Sequence, residues 1–167
     1  SGPLYEEKKS IHEKVVQAYM SEPTERAFNI NVTGSGDPFG SKVFREFLYE
    51  LDGSKFPNMN VNLQTNGVMF TPRNFERIHK IHKNLKNLLI SLDAATPETY
   101  AITRRGGDWD RLMENLEFLA AKRKEGHFEV MRLDFVVQVD NFTEMPAFVD
   151  IGERLGVDKI QFSMVTD

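Results

Sequence analysis

Four groups of polar residues follow directly on short β-like runs in this sequence. Ser35, Gly36, Asp37 and Pro38 follow the first, Thr65, Asn66 and Gly67 the second, Ser91 and Asp93 close the third, and Gln138 leads into Asp140 and Asn141 after the fourth. Carboxylates in such places attract cations, hydroxyls and carboxamides bond other polar groups, and Arg104 and Arg105 carry forked donors that match a carboxylate. Three of these groups, and the arginines, also fit plainer roles. Gly36 with Asp37 and Pro38 suits a tight turn, and Thr65-Asn66-Gly67 suits a strand exit at positive φ. Asp93 can cap the loop before Thr96, and the two arginines can be a solvated charge pair. His79 and His82 lie in the basic stretch from Arg73 to Lys86, but two histidines three apart without a third ligand are a poor metal signal, and they read as a solvated helix face. Trp109 and the helically spaced phenylalanines read as core, because aromatic rings bury large areas. There is no cysteine, so neither a disulfide nor a thiolate metal site can form within these residues.

The elements that must position these groups alternate. Strands are predicted over Ala27 to Thr33, Met59 to Thr65, Asn87 to Leu92, Arg132 to Val139 and Lys159 to Met164. Between them the apolar spacing becomes helical: Val43, Phe44, Phe47, Leu48 and Leu51 form one stripe, and Leu112, Met113, Leu116 and Leu119 another. Thr71 before Pro72 and Thr96 before Pro97 mark helix starts, because a proline at the first helical position sacrifices no hydrogen bond. Asp108 is placed to cap a helix at Trp109, Thr143 to cap one containing Pro146, and Gly156 suits a left-handed exit after Leu155. A further helix is expected from about Glu6 to Met20. Alternating strands and helices favour a parallel sheet of right-handed βαβ units, and ligands of such sheets gather where the strands end in their C-terminal loops.

The composition narrows the class. The chain has 167 residues, 40% of them hydrophobic, enough for one core and short for two, so residues 1–167 read as a single domain. A formal net charge of -4 argues against a broadly basic nucleic-acid surface. No apolar run approaches the roughly 20 residues that span a bilayer, and no signal pattern opens the chain, so a cytoplasmic location is expected.

In their order these residues resemble the core of radical S-adenosylmethionine (SAM) enzymes. Ser35-Gly36-Asp37-Pro38 resembles the family's Gly-Gly-Glu-Pro motif, and Thr65-Asn66-Gly67 its Thr-Asn-Gly. Leu89 to Asp93, followed by Pro97-Glu98-Thr99-Tyr100 and Arg105-Gly106-Gly107, resembles the next strand and its trailing loop, and Gly152 to Ile160 a late helix-to-strand turn. The resemblance implies an α/β fold, a partial TIM-like (β/α) barrel with about five parallel strands and outer helices. It implies SAM and a 4Fe-4S cluster as cofactors, an electron-donor protein and an unknown peptide or small-molecule substrate as partners, and hydrogen abstraction by a deoxyadenosyl radical. The family's Cys-x3-Cys-x2-Cys loop after the first strand has no counterpart here, so the chain reads as a truncated core, inactive alone. By the same resemblance the turn at Ser35, Gly36, Asp37 and Pro38 binds the SAM ammonium through a strand-edge carbonyl and Asp37. Thr65, Asn66 and Asp93 belong to the cofactor site, Ser91 contacts the SAM carboxylate or ribose, Arg104 or Arg105 forks onto a carboxylate, and Gln138 reaches the ribose or adenine. Ser35 and Asp37 depart from the motif's glycine and glutamate, and Asp37 reaches one methylene less far.

Two other readings compete: a cluster-free barrel enzyme of aldolase or isomerase type using Asp93, Asp140 or a lysine, and a non-catalytic scaffold. The first needs a strand-embedded lysine nucleophile or a convincing metal set, and the lack of a convincing metal set counts against it. An incomplete barrel also predicts an exposed edge near Ala27 that invites self-association.

Overall fold

The computed structural model describes residues 2–32 and 37–164. Its elements are α1 (Pro3–Met20), β1 (Phe28–Val32), α2 (Lys42–Glu50), β2 (Met59–Thr65), α3 (Pro72–Arg77), β3 (Leu85–Ser91), α4 (Pro97–Thr103), α5 (Trp109–Lys124), β4 (Val130–Val137), α6 (Met145–Leu155) and β5 (Lys159–Met164). Short 3-10 turns at Gly53–Lys55, His79–Asn84 and Phe142–Glu144 join them. The five strands are all parallel and lie in chain order β1-β2-β3-β4-β5, as successive units of a (β/α) barrel do.

The outer face of the sheet carries the core. Val61, Leu63, Leu88, Ile90, Leu133 and Phe135 are fully buried beneath the helices. Leu48 of α2, Leu112, Leu116 and Leu119 of α5, and Phe148 of α6 meet them, so the helical stripes face the sheet. Burial of each such side chain contributes about 1.5–3 kcal/mol. Thr71 and Thr96 accept the amides of Asn74 and Thr99, Asp108 accepts that of Arg111, and Gly156 ends α6 at φ 68.

Several boundaries differ from those expected. β3 begins at Leu85 and β4 at Val130, two residues early in each case, and β4 ends at Val137. Thr143 does not cap α6: it lies inside the Phe142–Glu144 turn, and the helix begins at Met145. His82 is not on a solvated face. It is half-buried and stacked on Phe75 at 4.1 Å, because the chain tightens into a 3-10 turn after Ile78 and rolls the ring inward. Trp109 is half-buried, its ring 5.5 Å from that of Tyr100.

The inner face is unlike a doubly covered parallel sheet, whose strands read as continuous apolar runs. Its residues form layers across the strands. Asn29 and Asn60 pair in the first, and Asn31, Asn62 and Asn87 in the second. Leu89, Arg132 and Lys159 align in the third, and Ser91, Asp134 and Gln161 in the fourth. Carboxamide bonds run along the second layer, Asn87 Nδ2 to Asn62 Oδ1 at 2.6 Å and Asn62 Nδ2 to Asn31 Oδ1 at 2.7 Å.

Candidate functional site

The strands deliver their polar ends to one rim. On the chain following β1, the carboxylate of Asp37 is an internal hub. Its Oδ1 accepts the amides of Phe39 and Gly40 at 2.9 and 3.3 Å, and its Oδ2 accepts the Thr65 hydroxyl and the Asn66 amide at 2.5 and 2.7 Å. The first loop is thereby tied to the end of β2. Thr65 is buried, and its oxygen also accepts the Gly67 amide. Gly67 sits at φ 80, a conformation that favours glycine, and a Cβ there would fall 2.6 Å from Leu112 Cδ1 and push that methyl aside. Asn115, buried on α5, donates to the carbonyls of Gly67 and Val68 and fixes the turn from below.

A second knot joins the ends of β3 and β4. Asp93 is buried at φ 59, a left-handed conformation that aspartate tolerates better than most residues. Its Oδ1 accepts the Val136 amide at 2.7 Å, and its Oδ2 pairs with Arg104 Nη2 at 2.5 Å. Buried Asn141 bridges the same strands, donating to the carbonyls of Asp93 and Val136 while accepting the Gln138 amide. The buried Arg104 Nε has no hydrogen-bond acceptor among the described residues. Burial raises the pKa of nearby Tyr100.

Glu144 completes the rim. Its carboxylate accepts the Ala95 amide and the hydroxyls of Thr96 and Thr99, all at 2.6 Å, and so closes the start of α4. Burial pushes its pKa up, but the Thr96 and Thr99 hydroxyls and the adjoining amides outweigh that and hold it below the usual glutamate value.

The expected residues distribute unevenly. Asp37, Pro38, Thr65, Asn66, Ser91, Asp93 and Gln138 all lie at the C-terminal rim, Ser91 half-buried and in register with Asp134. Ser35 and Gly36 lie outside the described residues. Arg105 is exposed, and Arg104 is the arginine that turns inward, its Nη2 paired with Asp93 Oδ2. The carboxylate of Asp37 is engaged by its own chain on both oxygens, which gives it an organising role not read from the motif. Asn115 and Glu144 are not among the residues the sequence singles out, and Asn141, which the sequence places at the fourth strand end, has a bridging role that its position does not reveal. Asn115 carried a signal, being polar inside the Leu112, Leu116, Leu119 stripe. Among the described residues no group of three or more His, Asp or Glu is arranged to hold a metal ion. No described helix is long and apolar enough to cross a membrane.

Comparison with known proteins bears on the family and the fold. The model of the Radical SAM superfamily matches residues 8–164. Mycofactocin maturase MftC of Mycobacterium tuberculosis, from strains CDC 1551 / Oshkosh and ATCC 25618 / H37Rv, is 28% identical over 131 residues. That match covers 78% of this chain and 31% of the relative, so the chain spans about a third of the length of its curated relatives. Streptococcus suis SuiB superposes with TM-score 0.61 at 14% identity, covering 83% of this chain and 30% of SuiB. SuiB bound to its precursor peptide SuiA gives 0.62 at 12% identity, over 97% of this chain and 33% of that one. TYW1 with a lysine-pyruvate adduct gives 0.60 at 19% identity, over 98% and 53%. At these identities the structural likenesses establish the fold.

Proposed function

Because the chain belongs to the radical SAM superfamily, we propose that it forms the SAM-facing middle of an enzyme that abstracts a hydrogen atom from a peptide or small-molecule substrate. SAM bound beside a reduced 4Fe-4S cluster supplies the deoxyadenosyl radical for that step. The cluster's thiolates do not come from residues 1–167, which contain no cysteine, and no residue type present substitutes for them. The chain alone is therefore inactive, and its residues contribute binding and orientation. The observation that carries this reading is the single rim on which four consecutive strand ends place Asp37, Thr65, Ser91 and Gln138.

On that rim backbone carbonyls at the strand ends meet the SAM ammonium, with Asp37 tying its turn to the end of β2 rather than facing the ligand alone. Arg104 Nε is a buried donor awaiting an acceptor, and a ligand carboxylate is its chemical complement. Ser91 reaches the carboxylate or ribose, and Gln138, its backbone fixed by Asn141, reaches the ribose or adenine. A peptide substrate is favoured by MftC, named a maturase, and by SuiB, described with a precursor peptide. The test is anaerobic reconstitution with iron and sulfide. The 167-residue chain should acquire no iron–sulfur absorption, while the same chain extended upstream to include the family's cysteine loop should acquire it and cleave SAM to deoxyadenosine under reductant. A stable cluster spectrum on the short chain would overturn the assignment of the ligands.

A further inference from the structure

The inner face of the sheet carries a depression away from the rim, ≈ 280 Å³ in volume, walled by Asn31, Asn62, Asn87, Leu89, Arg132 and Lys159. Arg132 donates through Nε and Nη2 to Asp134 at 2.6 and 2.9 Å, which turns the guanidinium toward the rim and leaves Nη1 without a bond among the described residues. Lys159, in register beside it, is in none of the ion pairs formed by the described residues. The carboxamide chain is directional: each Nδ2 donates toward β1, so Asn31 Nδ2 is the donor left over at its end. Two cations face one carboxylate, and the depression carries local positive charge on a chain whose formal net charge is -4.

We infer that this depression binds an oxyanion, a carboxylate or phosphate group, through Arg132 and Lys159 with the asparagine ladder as its wall. Arg132 presents a guanidinium already oriented by Asp134, so little rotamer freedom is lost when an anion arrives. Lys159 adds a strongly hydrated point charge that adjusts to either geometry. At about 3.3 Å per residue, the layer of Arg132 and Lys159 lies about 7 Å along the strands from that of Ser91 and Asp134. An anion held there would anchor a substrate whose reacting carbon reaches the rim. That consequence rests on the proposed function, but the binding itself does not.

The 167-residue chain is titrated at low ionic strength with inorganic phosphate and, separately, with glutarate, following amide chemical shifts by NMR. Saturable shifts are expected at Asn87, Arg132 and Lys159, weakening with added salt. Lys159→Gln should raise the dissociation constant at least tenfold, and Arg132→Lys, which keeps the charge but loses the fork, severalfold. Tighter phosphate identifies a phosphate-bearing ligand, and tighter glutarate a carboxylate. Circular dichroism checks that each variant is folded; Lys159 is exposed, so its variant keeps the test decisive if the Arg132 variant does not fold. Flat titrations with both anions, or binding indifferent to Lys159→Gln, would overturn the inference and leave Lys159 as an inward charge guarding an edge strand. Loss of cluster assembly in the extended chain would not alter this titration, so the two proposals fail separately.

Discussion

A carboxylate that already accepts four donors from its own chain acts first on that chain. Asp37 joins the amides of Phe39, Gly40 and Asn66 to the Thr65 hydroxyl, so two loops share one charge. Replacing it with asparagine leaves an amide nitrogen facing hydrogen donors, which both removes bonds to a charged acceptor and adds a repulsive contact. Hydrogen bonds to charged groups contribute about 1.5–3 kcal/mol, and for a chain of this size each kcal/mol moves the midpoint by about 2–4 °C. Asp37→Asn should therefore lower the thermal midpoint by about 3–12 °C, while Ser91→Ala, at a half-buried hydroxyl, should shift it by no more than about 2 °C. A melt of Asp37→Asn that matches the parent would mean the hub does not hold the loops, and would return the carboxylate to the ligand. The motif revealed the residue but not its partners. An acidic side chain in a turn is equally suited to bind a ligand or its own amides, and the choice depends on where β2 ends in space, which spacing along the chain does not encode.

At the scale of elements, helix starts were legible wherever one residue supplied the cap, as at Thr71, Thr96 and Asp108. What was not legible is the part of a cap that comes from far away. The entry to α4 is closed by Thr96 and also by Glu144, 48 residues later in the chain, and that duty leaves α6 with no side-chain cap of its own. The inner sheet face was legible in principle: Asn29-x-Asn31 and Asn60-x-Asn62 repeat with period two, whereas a strand covered on both faces would be apolar throughout. Glu144 also makes a prediction about acid. Its pKa is lowered in the folded chain, so its bonds stabilise fully above the unfolded glutamate value of about 4.3 and are lost as pH falls through the folded one. Glu144→Gln keeps the shape without the charge. The variant should be less stable than the parent at pH 7, with the difference shrinking as pH falls below about 4, because the parent carboxylate is then protonated too. Urea unfolding across pH 3 to 7 measures this, and a gap independent of pH would show that the interaction at α4 is not ionic.

Among the described residues the sheet is open, and its two edges differ. β5 presents Lys159 inward and ends at exposed Met164, while β1 pairs with β2 on one side only among the described residues. Beside β1, helix α1 buries none of its residues, and Leu4, Ile11, Val15 and Tyr19 are 62%, 56%, 52% and 80% exposed. Between α1 and β1 runs a groove whose walls include Val16, Met20, Phe28, Ile30 and Phe47. A strand edge with unpaired amides and carbonyls beside apolar walls is a template for another strand. The 167-residue chain should therefore self-associate, and sedimentation velocity across micromolar to near-millimolar concentrations should show a rising weight-average mass. Two substitutions separate the causes. Ile30→Lys charges the edge strand on its helix side and should restore a monomer, because seating a second strand would bury an unpaired ammonium there. Tyr19→Ser trims the helix surface while leaving the strand's hydrogen-bonding edge intact, and should reduce association only in part. If Tyr19→Ser abolishes association and Ile30→Lys does not, the copies meet through the exposed helix, and the open edge of β1 is already shielded by α1.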